Sequence, residues 1–157
     1  MESSAQRLLV VEDDVAVARA LSRTLARRGF SVAICRSCTA ARTLSQTFDF
    51  AVLDLDLPDG NGVDLARDLM TAGKVPSVLF FTGSCDNAML ARARRMGTVV
   101  MKAEGTNPIL AFLTAAAAIA PVASEHSEPP QSQTTPSAKA RTTRSSSSSS
   151  LRRQRAR

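Results

Sequence analysis

The chain has 157 residues, 44% of them hydrophobic, with six Phe and no Trp or Tyr. That length suits one domain built on an aliphatic core, and the few aromatics give no support for base stacking in nucleic-acid recognition. The formal charge of +6 divides unevenly: residues 1–120 carry 13 basic and 12 acidic side chains, a net of +1, whereas residues 121–157 carry 7 and 2, a net of +5.

Short apolar runs alternate with helical patterns five times. RLLVVE (Arg7–Glu12) reads as a buried strand. Asp14 is a good N-cap for a helix over Val15–Arg28, in which Val17, Leu21 and Leu25 share a face and Gly29 is the stop. SVAIC (Ser31–Cys35) is a second predicted strand, Thr39–Gln46 a short helix, and FAVLD (Phe50–Asp54) a third strand. Pro58, Gly60 and Gly62 then force a tight turn. Val63–Ala72 is predicted as a helix ended by Gly73, SVLFFT (Ser77–Thr82) as a strand and Asp86–Met96 as a helix stopped at Gly97. TVVM (Thr98–Met101) is the fifth strand, and Pro108–Ile119 is the last helix, with Pro in its first turn and Ile109, Phe112, Leu113 and Ala116 on its apolar face.

Strands buried on both faces and separated by helices imply an α/β protein with a parallel sheet and right-handed crossovers. The domain is expected over residues 1–120. From residue 121 the pattern gives way to Ser, Thr, Pro and Arg, including a run of six serines. Such a stretch cannot bury enough apolar surface to offset its ordering entropy, so residues 121–157 are expected to be a disordered basic tail. The tail reads as a solvated extension, with weak, salt-sensitive binding of nucleic acid or another anionic surface as the alternative. No DNA-binding or enzymatic output domain is expected within it.

Cys35 and Cys38 stand as C-x-x-C, but with no second pair or nearby His they read as thiols at a strand end and a helix start rather than zinc ligands. The start lacks a secretory signal, and the Ala-rich stretch from Pro108 to Ala123 is too short and too weakly apolar to span a bilayer. A cytoplasmic protein is expected.

In an open parallel sheet, ligands sit at the carboxyl ends of the strands. Here the first strand ends in Glu12, Asp13 and Asp14, the third in Asp54, the fourth in Thr82 and the fifth in Lys102. Carboxylates gathered at one edge repel one another unless a cation intervenes. An all-oxygen set suits Mg²⁺, which accepts a few carboxylates and keeps its waters. Asp14 also reads as an N-cap alone.

The motifs LLVVEDD, VLDLDLPDGNGVDL, VLFFTG and VVMK, in this order over about Arg7–Ala120, resemble the receiver domain of two-component response regulators. The resemblance implies a doubly wound, flavodoxin-like sheet of strand order 2-1-3-4-5. It implies that Asp54 is the phosphoacceptor and a Mg²⁺ ligand, with Asp13 as direct Mg²⁺ ligand, Glu12 acting through water and Asp56 offering its backbone carbonyl. Thr82 looks like the switch hydroxyl and Lys102 like its ion-pair partner, with Gly83 leaving room for the hydroxyl to approach.

Ala103 follows Lys102 where the family usually has Pro, so a trans peptide is expected. The segment GTVVMK (Gly97–Lys102) is about two residues shorter than usual, and Val99 stands where an aromatic often senses the switch. The resemblance further implies a stand-alone, single-domain response regulator of a phosphorelay. It would take its phosphoryl group from a histidine kinase or histidine phosphotransfer protein, signal through an unidentified downstream protein, and be no enzyme beyond its own Mg²⁺-dependent phosphorylation and dephosphorylation. Homodimerisation stays open. The alternatives are a receiver-like binding module that works without phosphorylation and, because DLDLPDG also resembles the D-x-D motif, a haloacid-dehalogenase-type phosphatase. That family places the motif on its first strand, whereas two strands precede it here.

Overall fold

The computed structural model describes residues 5–119. The expected tail, 121–157, lies outside the described residues. Five parallel strands form the sheet: β1 (Arg7–Val11), β2 (Ser31–Cys35), β3 (Phe50–Leu53), β6 (Val78–Thr82) and β7 (Thr98–Met101). Their order is β2-β1-β3-β6-β7, which is 2-1-3-4-5 when these five are counted in sequence. Two further strands, β4 (Asp56–Leu57) and β5 (Gly60–Asn61), pair antiparallel in a small hairpin where the sequence pattern predicts only a turn.

The helices are α1 (Val15–Ala26), α2 (Cys38–Thr43), α3 (Gly62–Thr71), α4 (Asn87–Arg94) and α5 (Asn107–Ile119). Each begins within two residues of its expected start. Asp14, Ser37, Asn61 and Asp86 are N-caps whose side chains accept amides of the first turn. Asp86, expected as a helical residue, therefore stands just outside α4. Helix α2 stops at Thr43 rather than Gln46, because Leu44 turns extended and packs against the core. Gly29 ends the α1 turn at φ 91°, a left-handed conformation that a β-carbon would strain.

The continuous apolar strands are explained by two cores. Leu9, Val11, Leu53 and Phe80 point to one face, beneath Ala41 of α2, Leu65, Ala66 and Leu69 of α3, and Leu90 and Ala93 of α4. Leu8, Val10, Val52, Leu79 and Phe81 point to the other, beneath Leu21 and Leu25 of α1 and Ile109, Leu110 and Leu113 of α5. Successive strand side chains alternate faces, so a strand covered on both must be apolar throughout. The edge strands β2 and β7 depart from the expectation of burial on both faces. Ile34 is 42% exposed and Thr98 is exposed, since an edge strand has a neighbour on one side only.

Candidate functional site

The carboxyl edge of the sheet is where the chemistry-bearing residues gather. Glu12 follows β1 and Asp54 follows β3, and both continue the ladder by one more bond. The Glu12 amide donates to the Cys35 carbonyl at 3.0 Å, and the Asp54 amide to the Val11 carbonyl at 2.9 Å. Their backbones are thereby as rigid as the strands, while their side chains face the edge. Both carboxylates are buried, with Glu12 2% and Asp54 5% exposed. Asp13 is more open to solvent, and one carboxylate oxygen from each of Glu12, Asp13 and Asp54 falls within 4.8 Å of the others.

Lys102 closes the cluster from two strands away. Neighbouring strands stand about 4.8 Å apart, so β7 is roughly 10 Å from β3, a gap only a long side chain can cross. Its Nζ donates to Asp54 Oδ2 at 2.7 Å and meets Glu12 Oε2 at 2.8 Å and Oε1 at 3.0 Å. Burial works against the ammonium, but hydrogen bonds to Asp54 and Glu12, and their charges, outweigh it and hold the Lys102 pKa above its ordinary value. Burial pushes the Glu12 carboxyl up; the Lys102 hydrogen bond opposes this and the Asp54 charge adds to it.

Thr82 ends β6, between β3 and β7, and is fully buried. Its Oγ1 accepts the Ser84 amide at 3.0 Å. The Lys102–Ala103 peptide is trans, like all the described bonds, and Lys102 opens a single 3₁₀ turn (Lys102–Glu104) in which Glu104 Oε2 accepts the Met101 amide. Val99 is partly buried against the core beneath α2, α3 and α4.

The hairpin β4–β5 lies beside Asp54. The Asp56 amide donates to Asp54 Oδ1 at 3.3 Å, and the Gly62 amide to the Leu55 carbonyl at 2.9 Å. A β-carbon on Gly62 would stand 2.1 Å from the Asp54 carbonyl oxygen, so only glycine lets α3 start this close to the strand end. The Asp56 side chain is exposed and lies outside the three-carboxylate cluster.

The response regulator receiver domain family matches residues 8–113. The chain belongs to that family. Among curated proteins, it is 38% identical over 81 residues to the DNA-binding response regulator MtrA of Mycobacterium tuberculosis, covering 50% of this chain and 36% of that one. It is 32% identical over 96 residues to the photosynthetic apparatus regulatory protein RegA of Rhodobacter capsulatus, covering 60% of this chain and 52% of that one. The chain thus spans between about a third and a half of the length of these relatives. Among solved structures, the non-phosphorylated HemR receiver domain of Leptospira biflexa is 30% identical with a TM-score of 0.63, over 74% of this chain and 97% of that one. A BeF3-activated DrrB receiver domain shares the fold at 22% identity and a TM-score of 0.64, over 73% of this chain and 98% of that one.

Of the residues picked out in the sequence, the receiver fold brings Glu12, Asp13, Asp54 and Lys102 into one cluster and puts Thr82 at the same edge of the sheet. Asp14 is the N-cap of α1, its Oδ1 accepting Ala16 and Val17 amides at 2.8 and 3.0 Å, and these bonds lower its pKa. Cys35 and Cys38 are buried free thiols whose pKa values burial raises. No described helix is long and apolar enough to cross a membrane.

Two residues beside the site carry no signal in the sequence pattern. Arg36 donates to the Asp13 carbonyl at 3.0 Å, tying the loop after β2 to the loop after β1. Asp59, at the tip of the hairpin, accepts three hydrogen bonds from Cys38 and Thr39 at the start of α2. Neither could be found without knowing which loops lie side by side.

Proposed function

We propose that this receiver accepts a phosphoryl group on Asp54 from a histidine kinase or histidine phosphotransfer protein, with Mg²⁺ as cofactor, and signals by protein–protein contact. The observation that carries the reading is the Lys102 ammonium held between the buried carboxylates of Asp54 and Glu12. A buried nucleophile needs its charge balanced before a phosphoryl group, itself anionic, can approach.

The donor set fits Mg²⁺. Three carboxylates against one ammonium leave a formal charge of −2, the complement of a divalent cation, and all the ligands are oxygens. Asp13 and Asp54 would hold the ion directly, Glu12 through water, and Asp56 by its backbone carbonyl. Bound there, Mg²⁺ would neutralise phosphoryl oxygens and orient the donor.

The residues divide the work. An Asp54 carboxylate oxygen attacks phosphorus and forms a P–O bond. The bond from phosphorus to the histidine nitrogen breaks, and its electron pair leaves with the imidazole. Lys102 stays paired with Asp54 and contacts the incoming phosphoryl oxygens. Thr82 Oγ1 already accepts from Ser84, which leaves its hydroxyl proton for a phosphoryl oxygen. On this reading the protein catalyses only its own phosphorylation and dephosphorylation at Asp54, and a cytoplasmic setting with residues 1–120 as the receiver belongs to the same reading.

The test is intact mass after incubation with acetyl phosphate or phosphoramidate and Mg²⁺. A gain of roughly 80 Da, one phosphoryl group on a carboxylate, is expected for the wild type and not for Asp54→Ala, and EDTA should abolish it. No gain in the wild type would favour a binding module that works without phosphorylation. A gain in both would move the acceptor elsewhere.

A further inference from the structure

The hairpin β4–β5 is held at both ends. Its root touches the acceptor, through the Asp56 amide on Asp54 Oδ1 and the Gly62 backbone packed on the Asp54 carbonyl. Its tip is fixed to α2 by one side chain. Asp59 Oδ1 accepts the Cys38 amide at 2.7 Å, and Oδ2 accepts the Thr39 amide at 2.8 Å and the Thr39 hydroxyl at 2.6 Å. Between tip and root, Gly60 lies over the Cys38 thiol, where a β-carbon would come within 3.2 Å of Sγ. The Cys38 thiol also faces the Asn61 carbonyl at 3.9 Å, and Asn61 in turn caps α3 through the Asp64 amide at 2.9 Å.

A two-residue ladder has little stability of its own, and an isolated hairpin is marginal in water. What keeps this one in a single position must therefore be its attachments. Asp59 supplies three at once, each from an ionised acceptor, which makes them stronger than neutral hydrogen bonds. Pro58 precedes Asp59 in the turn and fixes its own φ, so the tip has little freedom to swing while the carboxylate stays bound.

We infer that Asp59 is a positioning residue for the phosphoacceptor site: by clasping α2 it sets the hairpin so that the Asp56 main chain faces Asp54 and the metal position. The inference rests on the reading of that site as a Mg²⁺-dependent phosphoacceptor. Asp59 touches no reacting atom. It acts through the hairpin, and its loss lets the Asp56 backbone drift from the carboxylates.

The test uses the full chain without any phosphoryl donor. Mg²⁺ affinity is measured by calorimetry, and exchange of the Asp56 and Gly62 amides by NMR, in the wild type, Asp59→Ala, Thr39→Val and Ile109→Val. The last removes one methylene from the core beneath α1 and α5, away from the hairpin, and controls for stability alone. Outer residues that orient metal ligands typically change affinity by 10–100-fold, so Asp59→Ala is expected to weaken Mg²⁺ about tenfold. It should also speed exchange at both amides, with Thr39→Val between it and the wild type and Ile109→Val unchanged. Wild-type affinity in Asp59→Ala, or equal weakening in Ile109→Val, would overturn the inference. A wild type that binds no Mg²⁺ would overturn the metal reading beneath it. A wild type that binds Mg²⁺ but gains no mass from acetyl phosphate would refute the acceptor role while the clasp stands.

Discussion

Replacing Lys102 by Met tests the charge balance at the site. Its ammonium lies 2.7 Å from Asp54 and 2.8 Å from Glu12. At an effective dielectric of about 20 each contact carries roughly 6 kcal/mol of Coulomb energy, most of which desolvation takes back. What survives is best judged from ion pairs that lose one partner, where the remaining buried charge costs about 3–5 kcal/mol. Lys102 is 27% exposed at its side chain while its partners are 3% and 5% exposed, so the lower figure applies. A loss of about 3 kcal/mol in a domain of this size corresponds to roughly 10 °C in Tm.

Thermal melts followed by far-ultraviolet circular dichroism, in EDTA and in Mg²⁺, would read this change. The pH dependence has a definite sign. The folded-state pKa of Glu12 is raised above 4.5, so its contribution is fully favourable below 4.5 and is lost as pH rises through the folded value. Removing Lys102 removes the hydrogen bond that restrains this rise, so the deficit of Lys102→Met should be largest near neutrality and shrink on acidification. Lys102 itself has its pKa raised above 10.5, so its stabilisation holds below that value and fades only as pH rises past the folded one. Mg²⁺ should lift the Tm of the variant more than that of the wild type, because its cluster lacks the competing cation. The reasoning fails if Lys102→Met matches the wild type in EDTA near pH 8, or if its deficit does not shrink toward pH 5.

A tight glycine and an open one give a contrast. Gly62→Ala drives a β-carbon into the Asp54 carbonyl and should cost about 3 kcal/mol or more, whereas Gly29→Ala meets no atom within 4 Å and should cost only the left-handed strain, about 1 kcal/mol; denaturant midpoints would compare them. Asp59 has its pKa lowered from 3.8 to about 2, first by the Thr39 hydroxyl and then by its amide, so its contribution to stability is present above 3.8 and lost as pH falls through about 2. The stability gap between wild type and Asp59→Asn should therefore be flat at neutral pH and close in acid, as urea titrations across pH would show. Asp13→Asn removes an expected direct ligand from the most open corner of the cluster; it should weaken Mg²⁺ in calorimetry with little change in Tm in EDTA.

The order of strands and helices was legible in the sequence because each βα unit writes its own signal. Leu8 to Val11 are apolar without alternation, which only a strand covered on both faces requires, and Asp14 and Gly29 mark the ends of α1 by local backbone chemistry. The acidic and basic strand ends could be assigned to one edge from topology alone, since parallel strands share a carboxyl end. What the sequence could not determine were the contacts between residues far apart in it. The reach of Lys102 to Asp54 and Glu12 spans 48 and 90 positions. The bond of Asp59 to Cys38 joins the hairpin tip to the start of α2, 21 residues apart, and the small ladder of Asp56 to Asn61 leaves no period to detect in two-residue strands. Ile34 and Thr98 looked like their buried counterparts until the sheet order put them on its edges. Local pattern fixes which element forms, because it acts through neighbouring backbone groups. Only packing decides which side chains from different elements meet, and at this site those meetings bring the Lys102 ammonium between the carboxylates of Asp54 and Glu12.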